Sequence, residues 1–325
     1  MLKLRSLVLV IAIQAAALAA DPALLRLVMP DAKVIAGIQV DQSKNSVFGQ
    51  YVLSHMQVDD QSLSKFIQDT GFDPRRDVRE IVIASNWTST SPQSRWLVLA
   101  KGVFDIHKIE HVAEGSGATI TNYKGTDIYT YPGQGAQQAD NAIAFLDAGS
   151  AAVGDLPSVK GAIDRQKSSA AASGQLVAKV GSVSAKNDFW FVTLVPLSEF
   201  AGTMPDPNVS GAMRNNMLTA VNQASGGIRF GDTVTLSAEA ITRSDKDAQA
   251  LVDVVKFVVG MLSMNRQDNA AAGQVASLLD TLDCKTTGNV MTLSLAIPER
   301  QLEQMIESME QPSRAPRKKA APQAN

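Results

Sequence analysis

The sequence predicts an α+β fold built from two similar halves, with mainly antiparallel sheets and helices packed on one face. Short apolar runs of strand length recur along the chain, and Gly-containing turns join several of them in consecutive pairs. Segments with a helical spacing of apolar residues separate these pairs. Because consecutive hairpins favour antiparallel sheets, the pattern indicates the α+β class, and the repeated order of elements suggests a duplication.

The first half begins with an expected strand at residues 34–40, a run of apolar and small residues. The turn at Lys124-Gly125 predicts a hairpin, because glycine adopts positive φ without steric cost. The other elements expected in this half are helices through Phe48 and Tyr51 and at 63–70, strands at 78–84 and 96–101, a helix at 104–114, strands at 118–122, 126–131, 142–146 and 151–153, and a helix at 158–166.

The second half repeats this order with variations. Its expected elements are a strand at 189–195, a helix at 213–223, strands at 227–230 and 233–240, helices at 245–264 and 274–282, a strand near Cys284, a strand at 290–297 and a helix at 299–309. The small, polar segment 168–174 is the expected linker between an N-terminal half at 21–167 and a C-terminal half at 175–310.

Residues 1–20 are typical of a secretory signal peptide. Lys3 and Arg5 precede an apolar run at 7–13, and the segment closes on small residues before Asp21. The run is shorter than the roughly 20 apolar residues that span a bilayer, so cleavage is expected rather than anchoring. We therefore expect a secreted or periplasmic protein with no transmembrane anchor in the mature chain.

Composition places the chain among ordinary globular proteins, with 45% hydrophobic and 19% charged residues. Cys284 is the one cysteine in the sequence, so stability is expected to come from packing without an intrachain disulfide. The net charge is −2, and a basic cluster lies in the Pro-containing tail 311–325, which is expected to be disordered. The remaining chain is mildly acidic, which argues against nucleic acid as a partner.

Residues 107–111, His-Lys-Ile-Glu-His, fit the His-x-x-Glu-His pattern of inverzincin metalloproteases. On a helix, His107 and His111 lie one turn apart and can share a zinc ion, while Glu110 can polarise a bound water. The family that this motif resembles takes its third ligand from a Glu on a later helix, and Glu199 lies farther along than that spacing. We therefore expect no metal or other cofactor and no catalytic residue, and the motif is interpreted as the polar side of an amphipathic helix.

Aromatic residues indicate a second kind of binding site. Trp96 and Trp190 begin apolar strands and are expected to be buried, whereas Trp87 lies in a Ser- and Thr-rich loop. Loops carry binding residues more often than their share, so Trp87 is the candidate for stacking on a sugar.

Two stretches carry a family resemblance. Trp-Leu-Val-Leu-Ala-Lys-Gly-Val-Phe-Asp at 96–105 leads into a helix, and 142–154 leads into Leu-Pro-Ser-Val-Lys-Gly-Ala-Ile-Asp at 156–164. This arrangement resembles uncharacterised exported bacterial α+β proteins of unknown function, and the resemblance implies no activity.

The sequence therefore predicts an exported, soluble protein with a non-catalytic binding or structural role in the cell envelope. Its partner is expected to be an unidentified envelope component or a small ligand. A zinc-dependent hydrolase or peptidase using residues 107–111 is one alternative, and a carbohydrate- or wall-binding module is the other.

Overall fold

In the computed structural model of the chain, residues 19–55, 61–87, 94–115, 117–131, 140–168, 175–199, 219–264 and 277–310 are described. These residues form a 12-stranded sheet in the order β11-β12-β10-β9-β8-β1-β2-β3-β7-β6-β5-β4. Every neighbouring pair of strands is antiparallel. The α+β class and the antiparallel pairing predicted from the sequence are confirmed.

With the exception of β9, the strands follow the predicted apolar runs closely. Their bounds are β1 Val34–Gln39, β2 Val78–Ser85, β3 Trp96–Gly102, β4 Thr119–Tyr123, β5 Thr126–Tyr131, β6 Asn141–Asp147, β7 Ser150–Asp155, β8 Phe189–Thr193, β9 Val221–Arg229, β10 Thr233–Thr242, β11 Asp283–Thr287 and β12 Val290–Pro298. Lys124 and Gly125 both have positive φ, 52° and 78°, so the β4–β5 hairpin turns where glycine predicted it.

Helices connect the strands and cover the sheet. Their bounds are α1 Pro22–Leu27, α2 Val40–Asn45, α3 Val47–His55, α4 Gln61–Thr70, α5 Pro74–Asp77, α6 Ile106–Gly115, α7 Leu156–Lys167, α8 Gln175–Ser184, α9 Asp245–Met264 and α10 Glu299–Glu310. Helix α7 begins with a side-chain cap: the Asp155 carboxylate accepts a hydrogen bond from the backbone N–H of Ser158 at 2.9 Å, and proline occupies the first turn.

The helices lie on both faces of the sheet, which corrects the prediction that they pack on one face. Leu99 of β3 belongs to the main core, which α1, α7 and α8 cover. The next residue, Ala100, packs against a different cluster, which contains Phe104 just before α6 and Ile109 of α6. Successive residues of a strand point to opposite faces, so these two clusters lie on opposite sides. Helices cover both faces because strands such as β3 carry apolar residues on both faces.

Strands β1 and β8 join the two halves of the chain into one continuous sheet. They pair from Val34 opposite Thr193 to Ile38 opposite Phe189. From this central pair, the order β1-β2-β3 runs outward on one side and β8-β9-β10 on the other. The halves are therefore parts of a single sheet, and the division at 167 and 175, like the duplication, stays a prediction.

Two helix predictions in the second half are corrected. Residues 221–223, expected at the end of a helix, begin strand β9. Of the helix expected at 274–282, Leu279–Thr281 is a single 3₁₀ turn that ends before β11. The signal peptide as far as residue 18, the linker from 169 and the tail 311–325 lie outside the described residues.

Candidate functional site: an apolar pocket over the central strands

An apolar pocket of about 290 Å³ opens over strands β1 and β2. Ile38 of β1 lies directly opposite Ile81 of β2 in the strand register, so their side chains lie side by side on one face of the sheet. The other residues around the pocket are Val40, Ser43 and Lys44 of α2, Phe48 and Gly49 of α3, Pro74 and Arg75 of α5, Val78 of β2, and Phe230 after β9.

The corner between α2 and α3 forms one wall of this pocket. A Cβ atom on Gly49 would lie 1.7 Å from the carbonyl oxygen of Ser43, so only glycine allows the two helices to approach this closely. Ser46 fixes the corner, because its hydroxyl accepts the N–H of Gly49 at 2.9 Å and donates to Ser43 O at 2.8 Å. The corner holds the buried Phe48 ring 5.5 Å from the ring of Phe230.

The two cations beside the pocket are already paired. The Lys44 ammonium donates to the carbonyl oxygens of Arg76 and Val78 at 3.1 and 2.7 Å and lies 3.7 Å from Asp41. Arg75 donates to Asp73 at 2.8 Å, and this hydrogen bond lowers the pKa of the Asp73 carboxyl. The described lining is therefore suited to an uncharged, apolar ligand.

A second pocket, of about 300 Å³, lies between α6 and strands β5 and β6. Ile109, Val112 and Ala113 of the helix face Ile143 and other apolar side chains of the sheet. At its edge, burial raises the pKa of the Tyr129 hydroxyl strongly, and its hydrogen bond with Glu110 adds to this effect.

The same helix places the residues of the predicted zinc motif. His107 is 98% exposed, and its Nδ1 lies 3.7 Å from Oε2 of Glu110. His111 is also exposed, while Ile109 is buried, so the helix is amphipathic in the predicted orientation. Among the residues that the structure describes, no group of three or more His, Cys, Asp or Glu side chains is arranged to hold a metal ion.

The three tryptophans differ in burial. Trp190 is completely buried, as predicted, whereas Trp96 is 37% exposed, which corrects the prediction that it is buried. Trp87, the sugar-stacking candidate, is half-buried, and its backbone N–H donates to the Ser85 hydroxyl at 3.0 Å.

A polar groove of about 310 Å³ runs between α8 and strands β9, β10 and β12. Lys179 of the helix donates to Glu239 of β10 at 2.6 Å, and hydroxyls of Ser225 and Ser237 line the floor. The ion pair joins two of the three charged residues that line this groove, and the third is Lys186.

Sequence reasoning did not identify the residues of the central pocket. One signal was present: residues 81–84 of β2 are Ile-Val-Ile-Ala, and a strand with apolar residues on both faces is expected to be covered on both. Ile83 is nevertheless 47% exposed. The face that carries Ile38 and Ile81 therefore remains partly open.

Comparisons with known proteins identify no family. No family model and no curated protein matches the chain. Among solved structures, a chain described as "Structure of crystal form I of TP0453" is 10% identical, with a TM-score of 0.47, and the match covers 90% of this chain and 98% of that one. A likeness at this level carries no conclusion about function. Within the described part of the chain, no helix has the length and apolar character needed to cross a membrane.

Proposed function

We propose that this chain is an exported, non-catalytic binding protein of the cell envelope and that it binds an uncharged, largely apolar small molecule in the pocket over β1 and β2. The export part rests on the signal-like residues 1–20. The binding part rests on the pocket, whose floor is Ile38 and Ile81 and whose wall includes Phe48.

The position of the pocket supports this proposal. Its lining comes from β1, α2, α3, α5, β2 and the segment after β9, so elements of both halves of the chain contribute. Leaving apolar surface in water costs about 25 cal/mol per Å², and concave apolar sites of about 300–1,000 Å³ are typical of ligand pockets. The pocket of about 290 Å³ lies just below that range and suits a small ligand.

The chemistry of the lining supports a neutral ligand. Lys44 and Arg75 are held by Asp41 and Asp73 and by carbonyl oxygens, so neither needs an anionic ligand for pairing. The Ser43 hydroxyl donates to Gln39 O at 2.9 Å. Binding would therefore derive mainly from apolar burial, with the polar groups of the lining already satisfied.

Fluorescence titration with N-phenyl-1-naphthylamine tests the binding proposal, because this neutral aromatic probe becomes bright in apolar pockets. The wild-type protein is expected to bind it saturably. Ile81→Trp fills the pocket and is expected to weaken binding at least tenfold. Ile83→Trp is the matched control, since Ile83 lies two residues along β2 on the same face and outside the pocket, and it is expected to change binding less than twofold.

The outcomes separate clearly if circular dichroism shows that both variants fold. Absence of saturable probe binding to the wild-type protein contradicts the proposal. Equal weakening by both substitutions also contradicts it, because the probe would then be bound on the open sheet face instead of in the pocket.

A further inference from the structure

A buried carboxylate, that of Glu80, lies beside the backbone of residues 20 and 21. Glu80 of β2 is 5% exposed, and its Oε1 accepts a hydrogen bond from the backbone N–H of Asp21 at 2.9 Å. One residue earlier, Ala20 is 2% exposed, and its N–H donates to the Ser184 hydroxyl of α8 at 3.0 Å. The backbone nitrogens of residues 20 and 21 are therefore held inside the protein.

The charges around Glu80 do not balance. The Asp21 carboxylate binds Lys101 and accepts the N–H of Ala23 at 2.7 Å, so Lys101 is already shared with one acid. Burial raises the pKa of Glu80, and the nearby Asp21 carboxylate raises it further, while the Asp21 N–H, the Gln39 side chain and Lys101 lower it without cancelling the effect of burial. With all three groups ionised, two carboxylates face one ammonium, and a buried carboxylate without a full counter-charge is costly.

Removal of the signal peptide would create a positively charged α-ammonium group that can balance the second carboxylate. The predicted signal peptide ends at Ala20, so its removal leaves an α-ammonium group on the nitrogen of Asp21. Cleavage one residue earlier, after the small residues Ala17 and Ala19, leaves it on Ala20, where the nitrogen contacts Ser184 and lies one residue before the nitrogen that contacts Glu80. Either position brings the ammonium into the same buried region.

We propose that the α-ammonium group left by removal of the signal peptide is bound inside the fold, with Glu80 as its counter-ion. This inference rests on the export part of the proposed function. An amide at this place offers one N–H and no net charge, whereas an ammonium offers three N–H groups and makes the cluster neutral. Charge-assisted hydrogen bonds are also stronger than neutral ones. The processed chain is therefore more stable than one with residues left in front of it.

Mass spectrometry and N-terminal sequencing of the exported protein test the premise. A chain that begins with a free amine at Ala20 or Asp21 is expected. Any other first residue overturns the inference, because the α-amine would then not lie at residue 20 or 21. It would also remove the support for export, but it would not affect the proposed apolar pocket.

A double-mutant cycle tests the ion pair itself. Chains released from a cleavable fusion begin either at the natural first residue or with Gly-Ser added before it, each with Glu80 or with Glu80→Gln. The extension is expected to lower Tm by at least about 3 °C in the Glu80 chain and by less than about 1 °C in the Glu80→Gln chain. Glu239→Gln is the matched control, because Glu239 pairs with Lys179 away from this region, and the full effect of the extension is expected there.

The result that overturns the ion pair is an equal loss of Tm in both backgrounds, or no loss in either. A second measurement decides the matter if Glu80→Gln does not fold. Acetylation of the α-amine by an N-hydroxysuccinimide ester is expected to be at least tenfold slower in the native protein than in urea. Equal rates show that the amine is free in solution and overturn the inference.

Discussion

Substitution of Gly37 by alanine tests how the two halves of the chain are joined. Gly37 of β1 lies directly opposite Trp190 of β8 in the register that unites the sheet. A Cβ atom on Gly37 would lie 2.4 Å from Cζ2 and 2.7 Å from Cε2 of the indole, and 2.9 Å from the carbonyl oxygen of Ile81. Trp190 is completely buried, so the ring cannot move out of the way without displacing its neighbours.

The size of the effect follows from this crowding. Adding atoms to a packed core costs about 1–3 kcal/mol, and we expect Gly37→Ala near the upper end, because a backbone oxygen blocks the methyl group as well as the ring. A loss of about 3 kcal/mol lowers the Tm of a chain of this size by roughly 4–5 °C, because the entropy of unfolding grows with chain length. Trp190→Phe combined with Gly37→Ala is expected to recover part of the loss, because the smaller ring leaves space for the methyl group.

Urea unfolding followed by circular dichroism, with thermal scans beside it, measures the change. Gly181→Ala is the matched control: no atom lies within 4 Å of the added Cβ, and Gly181 is inside helix α8, so alanine is expected to stabilise the protein by about 0.5–1 kcal/mol. A free energy of unfolding of Gly37→Ala within about 0.5 kcal/mol of that of the wild type, with an unchanged m value, would show that Trp190 does not pack tightly against Gly37.

Three further predictions concern single groups. Asp155→Ala is expected to cost about 2–3 kcal/mol in urea unfolding, because the carboxylate accepts the N–H groups of Ser158 and Trp96 at 2.9 and 2.8 Å; a loss below about 0.5 kcal/mol would contradict this. Burial raises the pKa of the Cys284 thiol, so less thiolate is present at pH 8, and its reaction with a disulfide reagent is expected to be slower than that of free cysteine and to accelerate in urea; equal rates argue against it. Elemental analysis of the purified protein is expected to find well below one zinc per chain, and stoichiometric zinc lost in His107→Ala would support the hydrolase alternative.

The sequence predicted strands well where local pattern and packing agree. The apolar runs predict β1 and β2, and the Lys124-Gly125 turn predicts the β4–β5 hairpin. Each of these predictions depends on only a few neighbouring residues. The amphipathic character of α6 was equally accessible, because the spacing of Ile106 and Ile109 indicates its buried side.

Strand β9 shows why other elements could not be predicted. Glycines at 226 and 227 weaken a strand pattern, and the sequence predicts a strand only at 227–230. In the structure a Cβ atom on Gly226 would lie 2.4 Å from Ser237 O, and one on Gly227 would lie 2.3 Å from Phe189 O. These glycines permit close contact with neighbouring strands, a requirement that depends on tertiary structure and leaves no local pattern.

The central pocket was hidden for a similar reason. Ile38 and Phe230 are far apart in the chain, and only the pairing of β1 with β8, and of β8 with β9, brings them together. Gly49 gives no local sign that it must approach Ser43. A strand's alternation predicts which residues share a face, but it does not predict which part of that face a helix leaves open.

Strand β1 belongs both to the β1–β8 pair that joins the halves and to the central pocket. A change in β1 therefore affects both stability and binding. Gly37 points to the face that packs against Trp190, while the adjacent Ile38 points to the opposite face and forms the floor of the pocket. The methyl group of Gly37→Ala would push β1 away from the indole and so move Ile38 towards the pocket. Because close-packed interiors transmit such shifts, this variant is expected to weaken N-phenyl-1-naphthylamine binding, although residue 37 does not line the pocket. Unchanged affinity in a folded Gly37→Ala protein would show that the pocket is held by α2, α3 and β2 independently of the joint.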